Sequence, residues 1–169
     1  MKKGLIVLLL VFLSIIIVSP VFAERTGALI GTFGVGFSTY SFSGYPIGSF
    51  SQTLTALSVD LDIVSRMGLA ISTGNMMNFI KGEALYAFPH LGLGYRYLAE
   101  KWDLGASVIV IPIGFGAFSD ALVGAKISGG FWITRSFGLN LTMMFGGAVY
   151  NIGDAFSMRL GFSVRLQDT

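Results

Sequence analysis

Phe156-Ser-Met-Arg-Leu-Gly-Phe-Ser-Val-Arg-Leu-Gln167, near the C-terminus, decides how this chain folds. Phe156, Met158, Leu160, Phe162, Val164 and Leu166 alternate with Ser157, Arg159, Gly161, Ser163, Arg165 and Gln167. Coiled into a helix, the segment would spread two arginines around an otherwise apolar surface. Extended, it sends both arginines to one side and every large hydrophobe to the other. The same period of two runs through Ala28 to Tyr40, with Leu29, Phe33, Val35 and Phe37 on one parity and Thr32, Gly34, Gly36 and Ser38 on the other.

An apolar parity of this length needs an apolar solvent. No charge occurs from Thr26 to Val59, nor from Leu104 to Ser119. A chain in lipid can satisfy its backbone as helices or as a closed barrel, and a period of two selects the barrel. The first 23 residues carry the parts of a secretory signal: Lys2 and Lys3, the apolar run Leu5 to Val18, and Val21-Phe22-Ala23 as the exit. We therefore expect residues 1–23 to be cleaved and residues 24–169 to form a single outer-membrane barrel domain. Without Lys2 and Lys3, nine Lys/Arg face nine Asp/Glu, a balance that gives no case for a nucleic-acid partner. The chain has no cysteine, so neither a disulfide framework nor an acylated N-terminal cysteine is available to it.

Period-two segments recur at roughly 28–40, 54–65, 69–76, 83–98, 102–116, 122–133, 137–150 and 156–167. They predict an all-β, eight-stranded, antiparallel up-and-down transmembrane barrel. Three-residue turns are expected around Met67, Glu100 and Arg135, against longer links at 41–53, 77–82, 117–121 and 151–155. Short periplasmic turns and longer outer loops would put both termini in the periplasm. Outward aromatics form two sets near the strand ends: Tyr95, Tyr97, Trp102, Phe131 and Phe137 on one side, Phe37, Phe145 and Phe156 on the other. This is the pattern of two interfacial girdles.

In strand number, strand length and alternation of links, the chain resembles the small eight-stranded outer-membrane proteins of the OmpX, OmpA-barrel and OmpW kind. It departs from them where Gly161-Phe-Ser-Val-Arg-Leu166 is followed by Gln-Asp-Thr rather than by a terminal aromatic. The resemblance implies a barrel of the bacterial outer membrane in contact with its lipid, and we expect a monomer. Its OmpW side implies a barrel that holds or passes a small hydrophobic molecule. Its OmpX side implies a structural or adhesive barrel with a packed, salt-bridged core and functional surface loops.

Inward parity places Asp60, Asp62, Arg96, Asp103, Lys126, Arg159 and Arg165 in the lumen, where opposite charges can meet across a bore only wide enough for side chains. Higher up, Tyr86, Phe88, Ile109, Ile111, Ile113 and Met144 predict an apolar cup, either a packed core or a hydrophobic pocket. If Glu100 and Lys101 make a two-residue turn, Pro89 falls opposite Pro112. Neither can donate to the ladder, so the wall would be weakened there. Paired prolines on neighbouring strands are similar to the device by which lipid A palmitoyltransferase barrels open sideways; the plainer alternative is a frayed rim.

Catalytic and metal chemistry are poorly represented. His90 is the sole histidine, with no cysteine or sequence-adjacent carboxylate, and no serine lies two residues away on its strand. Gly31-Thr-Phe-Gly-Val-Gly36 opens no helix and so lacks the context of a phosphate loop. We expect no enzyme activity, no catalytic residue, no metal and no cofactor. The function expected is the binding or passage of small hydrophobic molecules through an apolar outer lumen, with a lateral exit at Pro89/Pro112.

Overall fold

The computed structural model describes residues 27–44, 48–80, 83–115, 118–148 and 152–167, with side chains within 27–41, 51–79, 88–112, 121–147 and 153–166. The signal expected at residues 1–23 lies outside the described residues, as do the side chains of Tyr86 and Ile113. Eight strands follow one another: β1 (Ala28–Gly44), β2 (Gly48–Val64), β3 (Leu69–Ile80), β4 (Glu83–Leu98), β5 (Trp102–Phe115), β6 (Phe118–Trp132), β7 (Phe137–Ala148) and β8 (Ile152–Gln167). Each pairs antiparallel with the next, and β8 closes on β1 to give a barrel without edges.

Closure imposes a stagger. Following cross-strand partners from Ala28 leads through Val64, Ala70, Gly94, Ser107, Lys126, Met144 and Ser157 to Ser38, ten residues further along β1. With strands about 4.8 Å apart and a rise of about 3.3 Å per residue, that stagger tilts the strands by roughly 40°. A tilted strand needs about 9–11 residues to cross a bilayer. β1 and β2, each 17 residues long, extend well past that span.

The end holding Ala28 and Gln167 is here called the terminal end, and the opposite one the hairpin end. Strand bounds at the terminal end agree closely with the sequence pattern, whereas at the hairpin end the strands run further. Residues 41–53 are largely ladder, not loop: Ser41 pairs with Ser51, Phe42 with Phe50, Ser43 with Ser49 and Gly44 with Gly48. The expected contrast between short turns and long loops is therefore absent. The strands are separated by 45–47, 81–82, 116–117 and 149–151 at the hairpin end, and by 65–68, 99–101 and 133–136 at the terminal end. Beyond the lipid the outward parity no longer has to be apolar, so the alternation fades while the backbone pairing continues.

Leu29, Phe33, Val35, Val59, Ile63, Leu91, Leu93, Leu104, Leu160 and Phe162 are among the exposed hydrophobes on the outside. A closed barrel coated in this way meets its solvent requirements in lipid. Near the terminal end Trp102 is 50% exposed and its ring stacks on Tyr97 at 5.1 Å. Tyr95 departs from the expected girdle, being only 7% exposed. It lies over the β2–β3 turn, where Gly68 has a φ of 86°, and a Cβ on Gly68 would come within 2.5 Å of the Tyr95 ring.

That turn yields a direct test. Gly68→Ala must place a side chain in the left-handed region and displace Tyr95, and should cost about 1–2 kcal/mol. The measurement is urea unfolding in lipid vesicles, followed by the mobility of the unheated barrel on gels.

Candidate functional site

Every strand contributes alternate residues to the lumen, and the ten-residue stagger decides which of them share a height. The structure places Asp60, Asp62, Arg96, Asp103, Lys126, Arg159 and Arg165 inside, none more than 5% exposed. They form a stack of two charged layers beneath an apolar one.

At the terminal end Arg165 caps backbone rather than a carboxylate. Its Nε and two Nη groups donate to the carbonyls of Arg135, Ala99 and Glu100 at 3.1, 3.1 and 3.3 Å, and its guanidinium lies 4.4 Å over the Trp132 ring. This single side chain ties the β4–β5 turn to the β6–β7 turn. Just above, Arg96 donates through Nε and Nη2 to Asp103 Oδ1 at 2.8 and 2.6 Å, and through Nη1 to Asp62. Room for this pair comes from missing side chains: a Cβ on Gly105 would sit 3.2 Å from Arg96 Cγ, and one on Gly130 would sit 3.0 Å from Asp103 Cγ.

Lys126 joins the floor to the next layer. Its Nζ lies 3.0 Å from Asp62 Oδ1, 2.7 Å from Ser72 Oγ and 3.7 Å from Asp60 Oδ1. Asp60 is further approached by Arg159 Nη1 at 3.3 Å and by His90 Nε2 at 3.1 Å. Three carboxylates, Asp60, Asp62 and Asp103, thus face three cations, Arg96, Lys126 and Arg159, and these six charges balance. Burying charge is tolerable only when it is paired in this way.

Above Asp60 the lumen becomes apolar. Tyr40, Leu54, Ala56, Met76, Phe88, Ile109, Ile111, Leu122 and Met144 form one buried cluster. Tyr40 and Phe88 rings pack at 5.3 Å, and Asn78 Nδ2 donates to the Tyr40 hydroxyl at 3.1 Å. Phe88, Ile109, Ile111 and Met144 all belong to this cluster, so the structure brings together four of the residues expected in the cup. A cavity remains between Tyr40, Met76, Ile109, Ile111, Leu122 and Met144, but its volume is about 20 Å³, room for one water-sized body. The glycines of β1 do not enlarge it: a Cβ on Gly34 would lie 3.1 Å from Ser58 Oγ and 3.4 Å from Arg159 Cβ.

The wall beside this cluster is irregular. β4 and β5 pair from Leu98–Asp103 up to Leu91–Val110, and no further pair forms among the described residues. Both strands continue, with β4 paired to β3 as far as Glu83 and β5 paired to β6 as far as Phe115. The Ala99 N–H donates to the Trp102 carbonyl at 2.9 Å, which makes odd residues of β4 and even residues of β5 the hydrogen-bonded pairs. Continuing that register puts Pro89 opposite Pro112 at a hydrogen-bonded position. Both missing donors fall on the same rung, and the ladder stops one such rung earlier. Both prolines are exposed on the outer face.

Tyr40, Leu54, Met76, Asn78 and Leu122 were missed by sequence reasoning because most of them lie where the outward alternation fades, although their inward parity was legible. The His90–Asp60 approach was out of reach for another reason. It depends on the stagger between β2 and β4, which no local pattern encodes. Ser107 pairs with Gly94, four residues along β4 from His90, so the two do not form a catalytic pair. Among the described residues, no three His, Cys, Asp or Glu side chains cluster as a metal site would require.

No family model and no curated protein sequence matches the chain. Solved structures do match in fold. Neisserial surface protein A is 12% identical with a TM-score of 0.55, over 81% of this chain and 97% of that one. The attachment invasion locus protein Ail of Yersinia pestis is 11% identical with a TM-score of 0.51, over 84% and 99%. The N-terminal β-barrel domain of Pseudomonas aeruginosa OprF is 7% identical with a TM-score of 0.56, over 85% and 100%. The chain has the fold of the small eight-stranded outer-membrane barrels.

The charge balance predicts the effect of removing one carboxylate. Asp62→Asn leaves Arg96 and Lys126 short of a partner in a buried site, and should cost about 3–5 kcal/mol. Asp62→Asn combined with Lys126→Met restores neutrality and should recover a large part of that loss. Urea midpoints of the two variants, measured against the parent barrel, check both expectations.

Proposed function

We propose that the chain is a non-enzymatic protein of the bacterial outer membrane whose lumen is sealed and whose hairpin end makes its contacts. In this reading residues 1–23 are removed on export, the terminal end faces the periplasm and the extended β1–β2 hairpin faces outward. The observation that carries it is the packing of the lumen among the described residues: an ion-paired floor beneath an apolar cluster whose cavity is about 20 Å³. Ligand pockets of ordinary size run to about 300–1,000 Å³. A contact role suits a barrel of this architecture, the name of Ail from Yersinia pestis being that of an attachment protein. Planar-bilayer recording of the purified barrel tests the sealed lumen. Conductance should stay at the baseline of protein-free membrane, and steady channel openings would overturn the reading.

The interrupted β4–β5 ladder favours a second reading, in which a small hydrophobic molecule rests against Phe88, Ile109 and Ile111 and leaves sideways at Pro89/Pro112. It requires the upper cluster to open. A fluorescent fatty-acid analogue titrated into detergent-solubilised protein separates the two. The sealed barrel should give no saturable signal. Saturable binding that is lost in Ile111→Asp, with release slowed in Pro89→Val/Pro112→Val, would establish the second reading in its place.

A further inference from the structure

The outer face beside the interrupted ladder has a polar feature that a plain lipid-facing wall does not need. Leu69, Ile71 and Phe79 on β3 are exposed and apolar, as expected of a membrane belt. Asn75 lies between them on the same parity and is exposed too. Its amide makes no hydrogen bond to a described side chain. An amide in hydrocarbon is costly unless something bonds it.

Asn75 is paired across the wall with Val59 on one side and Pro89 on the other. Beyond Pro89 lies the gap in the ladder, with Pro112 on its far side. At this rung each proline presents a carbonyl toward a residue that has no N–H to return. One small patch therefore gathers an amide side chain and two backbone acceptors that the ladder leaves without donors. Toward the terminal end the same two strands expose Leu91, Leu93, Val108 and Val110, a smooth apolar track directly below the polar patch. Thr73, the next outward residue down β3, is already satisfied through its bond to the His90 carbonyl at 3.2 Å. Asn75 and the proline carbonyls are thus the groups that seek a partner.

We propose that this patch binds one bilayer lipid, with an acyl chain along Leu91, Leu93, Val108 and Val110 and its linkage region at Asn75 and the Pro89/Pro112 gap. The acceptors select the linkage. A diester lipid brings only carbonyl oxygens to this depth and can satisfy the Asn75 N–H groups but neither proline carbonyl. A lipid whose chain head carries an amide N–H or a hydroxyl supplies donors as well, and the site prefers that class. The inference concerns the outer wall and stands whether or not the lumen conducts or the hairpin end adheres.

Two lipids with the same phosphocholine headgroup test it. Sphingomyelin carries an amide N–H and a hydroxyl beside its chains, whereas phosphatidylcholine carries esters only. The full barrel, extracted in mild detergent, is titrated with each and the retained lipid is counted by native mass spectrometry. The expected result is one tightly retained lipid, with sphingomyelin favoured at least fivefold over phosphatidylcholine. Pro89→Val/Pro112→Val, which returns an N–H to each side of the rung, should reduce that ratio to about one; Asn75→Leu should weaken retention of both lipids several-fold, Asn75→Gln should keep part of it, and Phe33→Leu, away from the gap, should change neither retention nor ratio. Equal retention of the two lipids by the parent protein, a preference that survives in Pro89→Val/Pro112→Val, or retention unchanged in Asn75→Leu would overturn the proposal. Unheated gel mobility shows that each variant is folded, and a variant that fails to fold is replaced by Asn75→Thr or Asn75→Val under the same criteria.

Discussion

The hydrogen-bond ladder closed between β1 and β8 is the constraint from which the rest follows. In lipid no water can satisfy a stray N–H or carbonyl, so the sheet must meet itself, and it can do so only at a whole-number stagger. The observed stagger of ten residues sets the tilt and, with eight strands, the bore. That bore is narrow enough for side chains from opposite walls to touch. Lys126 on β6 reaches Asp62 on β2, four strands away around the barrel.

Once the bore is fixed, charge becomes both a hazard and a filler. Three carboxylates and three cations occupy the lower and middle lumen, and each would be costly alone. Arg165 avoids the same cost differently, by spending its donors on turn carbonyls that have left the ladder. The apolar cluster above needs no such balance, and it fills its space with Tyr40, Phe88, Ile111 and their neighbours instead. Among the described residues the lumen is thus occupied in two ways, by ion pairs below and by apolar packing above.

The closed ladder is relaxed at the rung of Pro89 and Pro112. Placing both at a hydrogen-bonded position removes two bonds at once, and the strands then remain joined only to their other neighbours. Either proline alone, at a position facing away from the neighbour, would have left the rung intact. The polar side chain of Asn75 sits beside this gap, on a wall whose other exposed side chains are mostly apolar. Backbone chemistry and side-chain chemistry therefore change at the same point of the surface.

By itself the sequence determined the class of fold and the sidedness of each strand, because period two is a local property. Phe156 to Gln167 states which residues face lipid and which face the lumen without reference to any other segment. It also determined the charged and apolar zones of the lumen, since inward parity and position along a strand are both read locally. The hairpin-end bounds were not legible, because pairing there continues through residues such as Ser41 to Gly44, where the outward parity is no longer apolar. Only the tertiary structure decided who meets whom: His90 beside Asp60, Arg165 over Trp132, and a cavity reduced to the size of a water. Those outcomes depend on the stagger between strands and on side-chain volume across the bore, and both are properties of the closed sheet rather than of any stretch within it.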